Sequence, residues 1–223
     1  MRVAKAHLDI GLFSNDLDAH LKFWGTDVGL RLDLELAMAP GWVQYRYDAN
    51  GSVVKVNHWV DPLPAQPASG YAGLLIAREQ RHFAGEHPDG DAVLVVPPGL
   101  GGVTGIAVTL ASPQPARLLD FYCTAMEFEQ AGPASVRCGD SLLFLVEGEI
   151  AAGTQLCAPG FRYLTVQVFD ADAEMAGIVA RGGRIVADAV SFAGVARYGF
   201  VADPDGNWIE ISARTSLTGI EVT

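Results

Sequence analysis

The sequence predicts an α+β fold built from tandem β-α-β-β-β units. Two observations carry this: an alternating strand followed by a capped amphipathic helix recurs along the chain, and each copy closes on a hairpin turn written in Gly with Asp or Asn. At 223 residues there is room for two domains of about 100 residues, each holding two units.

The first copy opens at His7-Leu8-Asp9-Ile10-Gly11-Leu12 and runs through the polar cap Ser14-Asn15-Asp16 into a helix. On that helix Leu17, Leu21, Trp24 and Val28 fall on one face. The third copy repeats this spacing without a gap: Gly105-Ile106-Ala107-Val108-Thr109-Leu110 precedes Phe121-Tyr122 as His7 to Leu12 precedes Phe23-Trp24, with Ser112-Pro113 as the cap. The fourth begins at Tyr163-Leu164-Thr165-Val166-Gln167-Val168, is capped by Asp170 or Asp172, and stops at Gly182-Gly183. The second copy is reduced. Its strands, Ala72–Ala77 and Ala92–Val96, stand too close together for an intervening helix.

The four closing turns are Asp48-Ala49-Asn50-Gly51, His87-Pro88-Asp89-Gly90, Arg137-Cys138-Gly139-Asp140 and Asp203-Pro204-Asp205-Gly206. Pro presets one turn angle and Gly permits the left-handed conformation that follows. The Pro/Gly-rich stretch around residues 97–102 sits near the middle, so the expected division is an N-terminal domain 1–98 and a C-terminal domain 103–223.

Composition excludes some function classes. A net charge of −11, with the 15 Lys and Arg scattered, argues against nucleic-acid binding. No run approaches the ~20 apolar residues of a membrane span, and the start lacks the apolar core of a signal peptide. Cys123, Cys138 and Cys157 form no Cys-x-x-Cys pair, which fits a reduced, cytoplasmic setting. A small molecule is the expected partner, with a monomer and a homodimer both open.

The unit order, together with Asp203-Pro204-Asp205-Gly206-Asn207-Trp208-Ile209-Glu210-Ile211 in the last copy, resembles the vicinal-oxygen-chelate superfamily of glyoxalases, bleomycin-resistance proteins and extradiol dioxygenases. The resemblance implies paired units whose sheets curve into half-barrels around a cavity, two such glyoxalase-like domains in this chain. It also implies a divalent metal (iron, manganese, zinc or nickel) held by a His or Gln on a unit's first strand and a Glu on its last. His7 and Glu210 stand at such positions and are the candidate metal ligands and catalytic groups. Lys55, Gly105 and Tyr163 stand where other ligands belong, so the ligand set is incomplete and a site without metal is equally compatible with the residues.

Strand alternation places His7 and Asp9 on one face, Lys55 and Asn57 on one face, and Tyr163, Thr165 and Gln167 on another shared with Glu210. Asp9, Lys55, Asn57, Tyr163 and Gln167 are therefore the candidate substrate-binding residues. Each also has a structural alternative: Asp9 and Lys55 as a buried pair, and Arg197 as the partner of Glu210. His20 is expected to be a solvated helix residue, while His82 and His87 lie where a ligand could fold across a cavity. The expectation is an enzyme acting on a small oxygenated molecule; the alternative is a metal-free binding protein of the bleomycin-resistance type.

Overall fold

The computed structural model describes residues 1–79, 81–150 and 155–221. Unit one holds β1 (Asp9–Ser14), α1 (Leu17–Lys22), β2 (Arg31–Ala39), β3 (Trp42–Ala49) and β4 (Ser52–Trp59). Unit two is β5 (Tyr71–Ala77), β6 (Phe83–Glu86) and β7 (Ala92–Val96), with no helix among its described residues, as expected. Unit three is β8 (Ile106–Ser112), α2 (Pro115–Thr124), β9 (Glu129–Gly132), β10 (Ser135–Cys138) and β11 (Ser141–Glu147). Unit four is β12 (Gly160–Gln167), α3 (Ala171–Ala180), β13 (Arg184–Phe192), β14 (Ala196–Ala202) and β15 (Trp208–Arg214). A last short helix, α4, covers Thr215–Thr218. No described helix is long and apolar enough to cross a membrane.

The units pair across the chain rather than along it. The eight-stranded sheet runs β13-β14-β15-β12-β1-β4-β3-β2 and the seven-stranded sheet runs β6-β7-β5-β8-β11-β10-β9. Unit one thus joins unit four through antiparallel β1 and β12, and unit two joins unit three through antiparallel β5 and β8. The halves 1–98 and 103–223 each contribute to both sheets, so neither closes a sheet of its own. The connections explain this. The segment between β7 and β8 keeps its strands in one sheet, whereas the Pro-rich segment from Val60 to Gly70 and the segment between β11 and β12 carry the chain across.

Local chemistry agrees with the sequence at most element ends. Asp16 caps α1 through Ala19 N and Asp170 caps α3 through Ala173 N. At α2 the cap is different: Ser112 Oγ accepts from Gln114 N, and Pro115 takes the first turn. The turn glycines Gly51, Gly90, Gly139 and Gly206 all have positive φ. The α1 stripe continues past the helix proper, through a wider-wound segment Phe23–Asp27 in which Trp24 is fully buried.

One apolar core joins the two sheets and the helices, taking Ile10, Val54, Leu164 and Ile209 from one sheet, Leu74, Val93, Val108 and Leu143 from the other, and Trp24, Leu118 and Ile178 from helices. Alternation then sends the next residue of each eight-stranded-sheet strand to the opposite, concave face. The Asp203–Ile211 segment is mainly a fastener of this arrangement. Asp203 accepts from the backbone N–H groups of Asp205 and Asn207, and Asn207 Oδ1 accepts from Gly70 N at 2.7 Å, fixing the crossing chain. Burial raises the Asp203 carboxyl to about 6, opposed by its bonds to Asn207.

Candidate functional site

The concave face of the eight-stranded sheet encloses a cavity of about 250 Å³. Its walls are mainly apolar, with the rings of Phe13, Trp42, Tyr163, Phe192, Tyr198 and Phe200 beside Leu36, Met38 and Leu156. The rings stand against one another, Phe13 to Trp42 at 5.9 Å and Tyr163 to Phe200 at 5.9 Å between centroids. Its polar groups come from alternate positions of three strands: Gln44 and Arg46 on β3, Lys55 on β4, and Glu210, Ser212 and Arg214 on β15.

At the floor, Lys55 Nζ donates to Thr165 Oγ1 at 2.6 Å and to Glu210 Oε2 at 2.8 Å, and Thr165 Oγ1 donates to the same carboxylate oxygen at 2.7 Å. Lys55 and Glu210 are 3% and 12% exposed at their side chains, so the pair is held out of bulk water. Burial pushes the Lys55 ammonium down to about 8, against the pull of Glu210, which favours its charge. Beside it, Asn57 Nδ2 donates to Tyr163 Oη at 3.1 Å, and Asn57 Oδ1 accepts from Trp42 Nε1 and Gln44 Nε2. Burial, then the Glu210 charge, raises the Tyr163 phenol far above its ordinary value and keeps it a neutral donor.

Four expected residues, Lys55, Asn57, Tyr163 and Glu210, thus meet in one place, although they come from opposite ends of the chain. Asp9 lies fully buried on the same sheet, bonded to Lys5 Nζ and Val53 N; the lysine's partner is Glu210, not Asp9. Gln167 is buried with both amide atoms unpartnered, and the neighbouring Ser212 Oγ is unpartnered too. His7 falls outside the cavity lining. β1 begins only at Asp9, because Ala6 O accepts from Asp140 N and Leu8 N donates to Ser141 Oγ, drawing this stretch to the seven-stranded sheet. Arg197 pairs with Asp172 and not with Glu210.

Arg46, Arg214, Gln44 and Tyr198 also line the cavity, beyond the residues expected there. Arg214 was legible in the sequence, since Trp208, Glu210, Ser212 and Arg214 alternate on β15. Arg46 required knowing that β3 lines the same cavity as β15.

A divalent metal does not fit this floor. An ammonium has donors and no lone pair, and Lys55 already supplies the cation that Glu210 faces. A second cation on that carboxylate would meet Lys55 at close range.

A second polar cluster sits away from the cavity. His20, on α1, is fully buried rather than solvated, because the turn between β6 and β7 folds over it. His20, His87 and Asp89 each bring a ligand atom within 4.8 Å of the others, a grouping that could hold a metal. The hydrogen bonds already present compete with that use. His20 Nδ1 accepts from Trp24 Nε1 and His87 Nδ1 from Asp89 N, both donor-only groups, so the Nε2 atoms carry the protons and donate to Asp89 and Asp91. Metal on Nε2 would require protonated Nδ1 atoms facing those donors. The hydrogen bonds make this cluster a latch tying α1 to the turn, and Asp91 extends it by accepting from Phe161 N. His82 is exposed and His58 half-buried; neither lines the cavity.

The unit order, the paired sheets and the half-barrel cavity have counterparts in known proteins. Residues 106–211 match the model of the Glyoxalase/Bleomycin resistance protein/Dioxygenase superfamily. Glyoxalase I from Zea mays superposes over 98% of this chain and 94% of its own, with a TM-score of 0.69 at 14% identity. The family match thus covers the sequence from unit three to the last strand of unit four, and the whole chain shares the fold of glyoxalase I. A putative dioxygenase from Bacillus subtilis subsp. subtilis str. 168 shares the fold over 96% of this chain and 86% of its own, with a TM-score of 0.66 at 14% identity. Comparison with curated protein sequences gives no match. Members of that superfamily bind small molecules, and the floor of this chain's cavity has a lysine facing its glutamate.

Proposed function

We propose that this chain is an enzyme that binds a small oxygenated organic molecule in the half-barrel of units one and four and moves a proton on it through Lys55 and Glu210, with no metal on Glu210. The observation that carries the reading is the buried Lys55–Thr165–Glu210 cluster at the floor of a cavity whose walls are largely aromatic and aliphatic. Glu210 Oε2 takes both internal bonds, which leaves Oε1 for a ligand. In such a site Glu210 accepts a proton from a carbon next to a carbonyl, the C–H electrons pass to the carbonyl oxygen, and Lys55 donates to the enolate oxygen formed. A lysine with its ammonium lowered to about 8 is suited to give and regain that proton near neutral pH. The catalytic role expected of His7 has no support in its position outside the cavity.

A second reading, sequestration without turnover, is favoured by the six aromatic residues of the wall, which suit tight binding of a planar compound. The two separate experimentally. With a compound that binds, the enzyme reading expects deuterium from D2O to enter the position next to its carbonyl in the native protein, and Glu210→Gln to slow this by about 100-fold or more with binding retained. Binding with no exchange above the buffer rate would contradict the enzyme reading and leave sequestration.

A further inference from the structure

The cavity's charge does not balance. Its lining contains three cations, Arg46, Lys55 and Arg214, and one carboxylate, Glu210, an excess of two positive charges in a chain whose net charge is −11. Lys55 already occupies that carboxylate. Arg46 is 7% exposed, and the partner given to it is neutral: its Nη1 donates to Gln44 Oε1 at 2.7 Å. Gln44 is in turn held by Asn57, which points its amide nitrogen away and presents its oxygen to the guanidinium. Arg214, half-buried, stands close enough to Arg46 that, after burial, the Arg46 charge is the next influence against its own, ahead of the favourable charges of Glu210 and Asp9. Two guanidinium groups near each other and without an ion pair among the described residues are costly to bury unless an anion binds between them.

We propose that Arg46 and Arg214 form an anion subsite that takes the carboxylate of a small aromatic acid, with the acid's ring against Phe13, Trp42, Tyr163, Tyr198 and Phe200. This rests on the reading above that the half-barrel binds a small organic molecule, and it names the class. Guanidinium forks match carboxylates in two-point geometry, which a lysine does not. The aromatic wall supplies flat apolar surface next to them. A cavity of about 250 Å³ lies below the ~300–1,000 Å³ of sites for drug-sized ligands, so a single ring with a short acidic arm is the size class. The carboxylate on the arginines leaves the rest of the molecule to face Lys55 and Glu210, which line the same space.

The test uses tryptophan fluorescence, because Trp42 lines the cavity and stacks on Trp59 at 5.2 Å. The full chain is titrated with benzoate, phenylacetate, cinnamate and phenylpyruvate, and with the neutral amides of the first three. At least one acid is expected to bind about 10-fold or more tightly than its amide, and the preference to fall as salt rises. In Arg214→Gln and in Arg46→Gln the preference for acid over amide should disappear while the amide's affinity stays within about 3-fold. Arg46→Lys keeps the charge without the fork and should recover part of the preference, which separates loss of the subsite from misfolding; thermal melting of each variant checks the fold. Equal affinity of acid and amide in the native protein overturns the subsite and leaves the small-molecule reading standing. If neither acid nor amide binds, both readings fall.

Discussion

Removing Glu210 while keeping Lys55, as in Glu210→Leu, is expected to destabilise the fold by about 3–5 kcal/mol, because it leaves an ammonium buried without its carboxylate. The reverse change, Lys55→Met, strands the carboxylate in the same surroundings and should cost a similar order. The double variant Lys55→Met/Glu210→Leu fills the floor with apolar groups and should recover most of the loss, since a buried pair replaced as a whole is often neutral. Urea denaturation of the four proteins gives the cycle. The pH dependence carries a further sign. Burial lowers the Lys55 ammonium from 10.5 to about 8, so between these values the unfolded chain holds more protons at this position than the folded one. Stability from this group therefore rises with pH across about 8 to 10.5 and is lowest below 8. The native protein should gain on Lys55→Met across that window.

The second large effect is expected at Gly11, on β1. A Cβ built there would overlap the ring carbons of Tyr163, which pack against the strand at this point. Gly11→Ala must push that ring away, breaking its bond with Asn57 and narrowing the space beside Lys55, whose ammonium lies 5.4 Å from the ring centroid. Overpacking of this kind costs about 1–3 kcal/mol. The loss should shrink to a few tenths in a Tyr163→Ala background, where nothing is left to displace. Ligand binding should be lost in Gly11→Ala at temperatures where the protein remains folded. An equal cost of Gly11→Ala in both backgrounds would mean that the ring is not what the glycine accommodates.

Much of the fold was legible because its signals are local. The repeated strand and helix spacing, the caps Asp16 and Asp170, the turn glycines and the missing helix of unit two all lie within short windows, and the structure bears them out. Sheet pairing was not legible in this way. The β1–β12 ladder joins residues more than 140 positions apart, Asp9 to Thr165 for example, and no local pattern selects that partner over unit two. The site inherits the same division. Alternation put Lys55, Asn57, Tyr163 and Glu210 on inward faces, but which of them meet depends on the pairing of units. The structural alternatives, Asp9 for the lysine and Arg197 for the glutamate, therefore do not form: Asp9 pairs with Lys5, Arg197 with Asp172, and Lys55 and Glu210 with each other. His7 sat at the right spacing for a strand, yet contacts with the turn between β10 and β11 hold it outside. His20 was misjudged for the same reason: its burial comes from a turn about 70 positions away, which helical periodicity does not register.

The central claim is that Lys55 supplies the positive charge facing Glu210 that a metal would otherwise supply. It is tested most directly by elemental analysis of protein purified without chelator, then loaded with iron(II), manganese, zinc or nickel and dialysed, for the native chain and for Glu210→Gln. The account predicts that Glu210→Gln leaves the metal content unchanged, any retained metal being lost in His87→Ala instead. One equivalent of metal in the native protein that disappears in Glu210→Gln would contradict it.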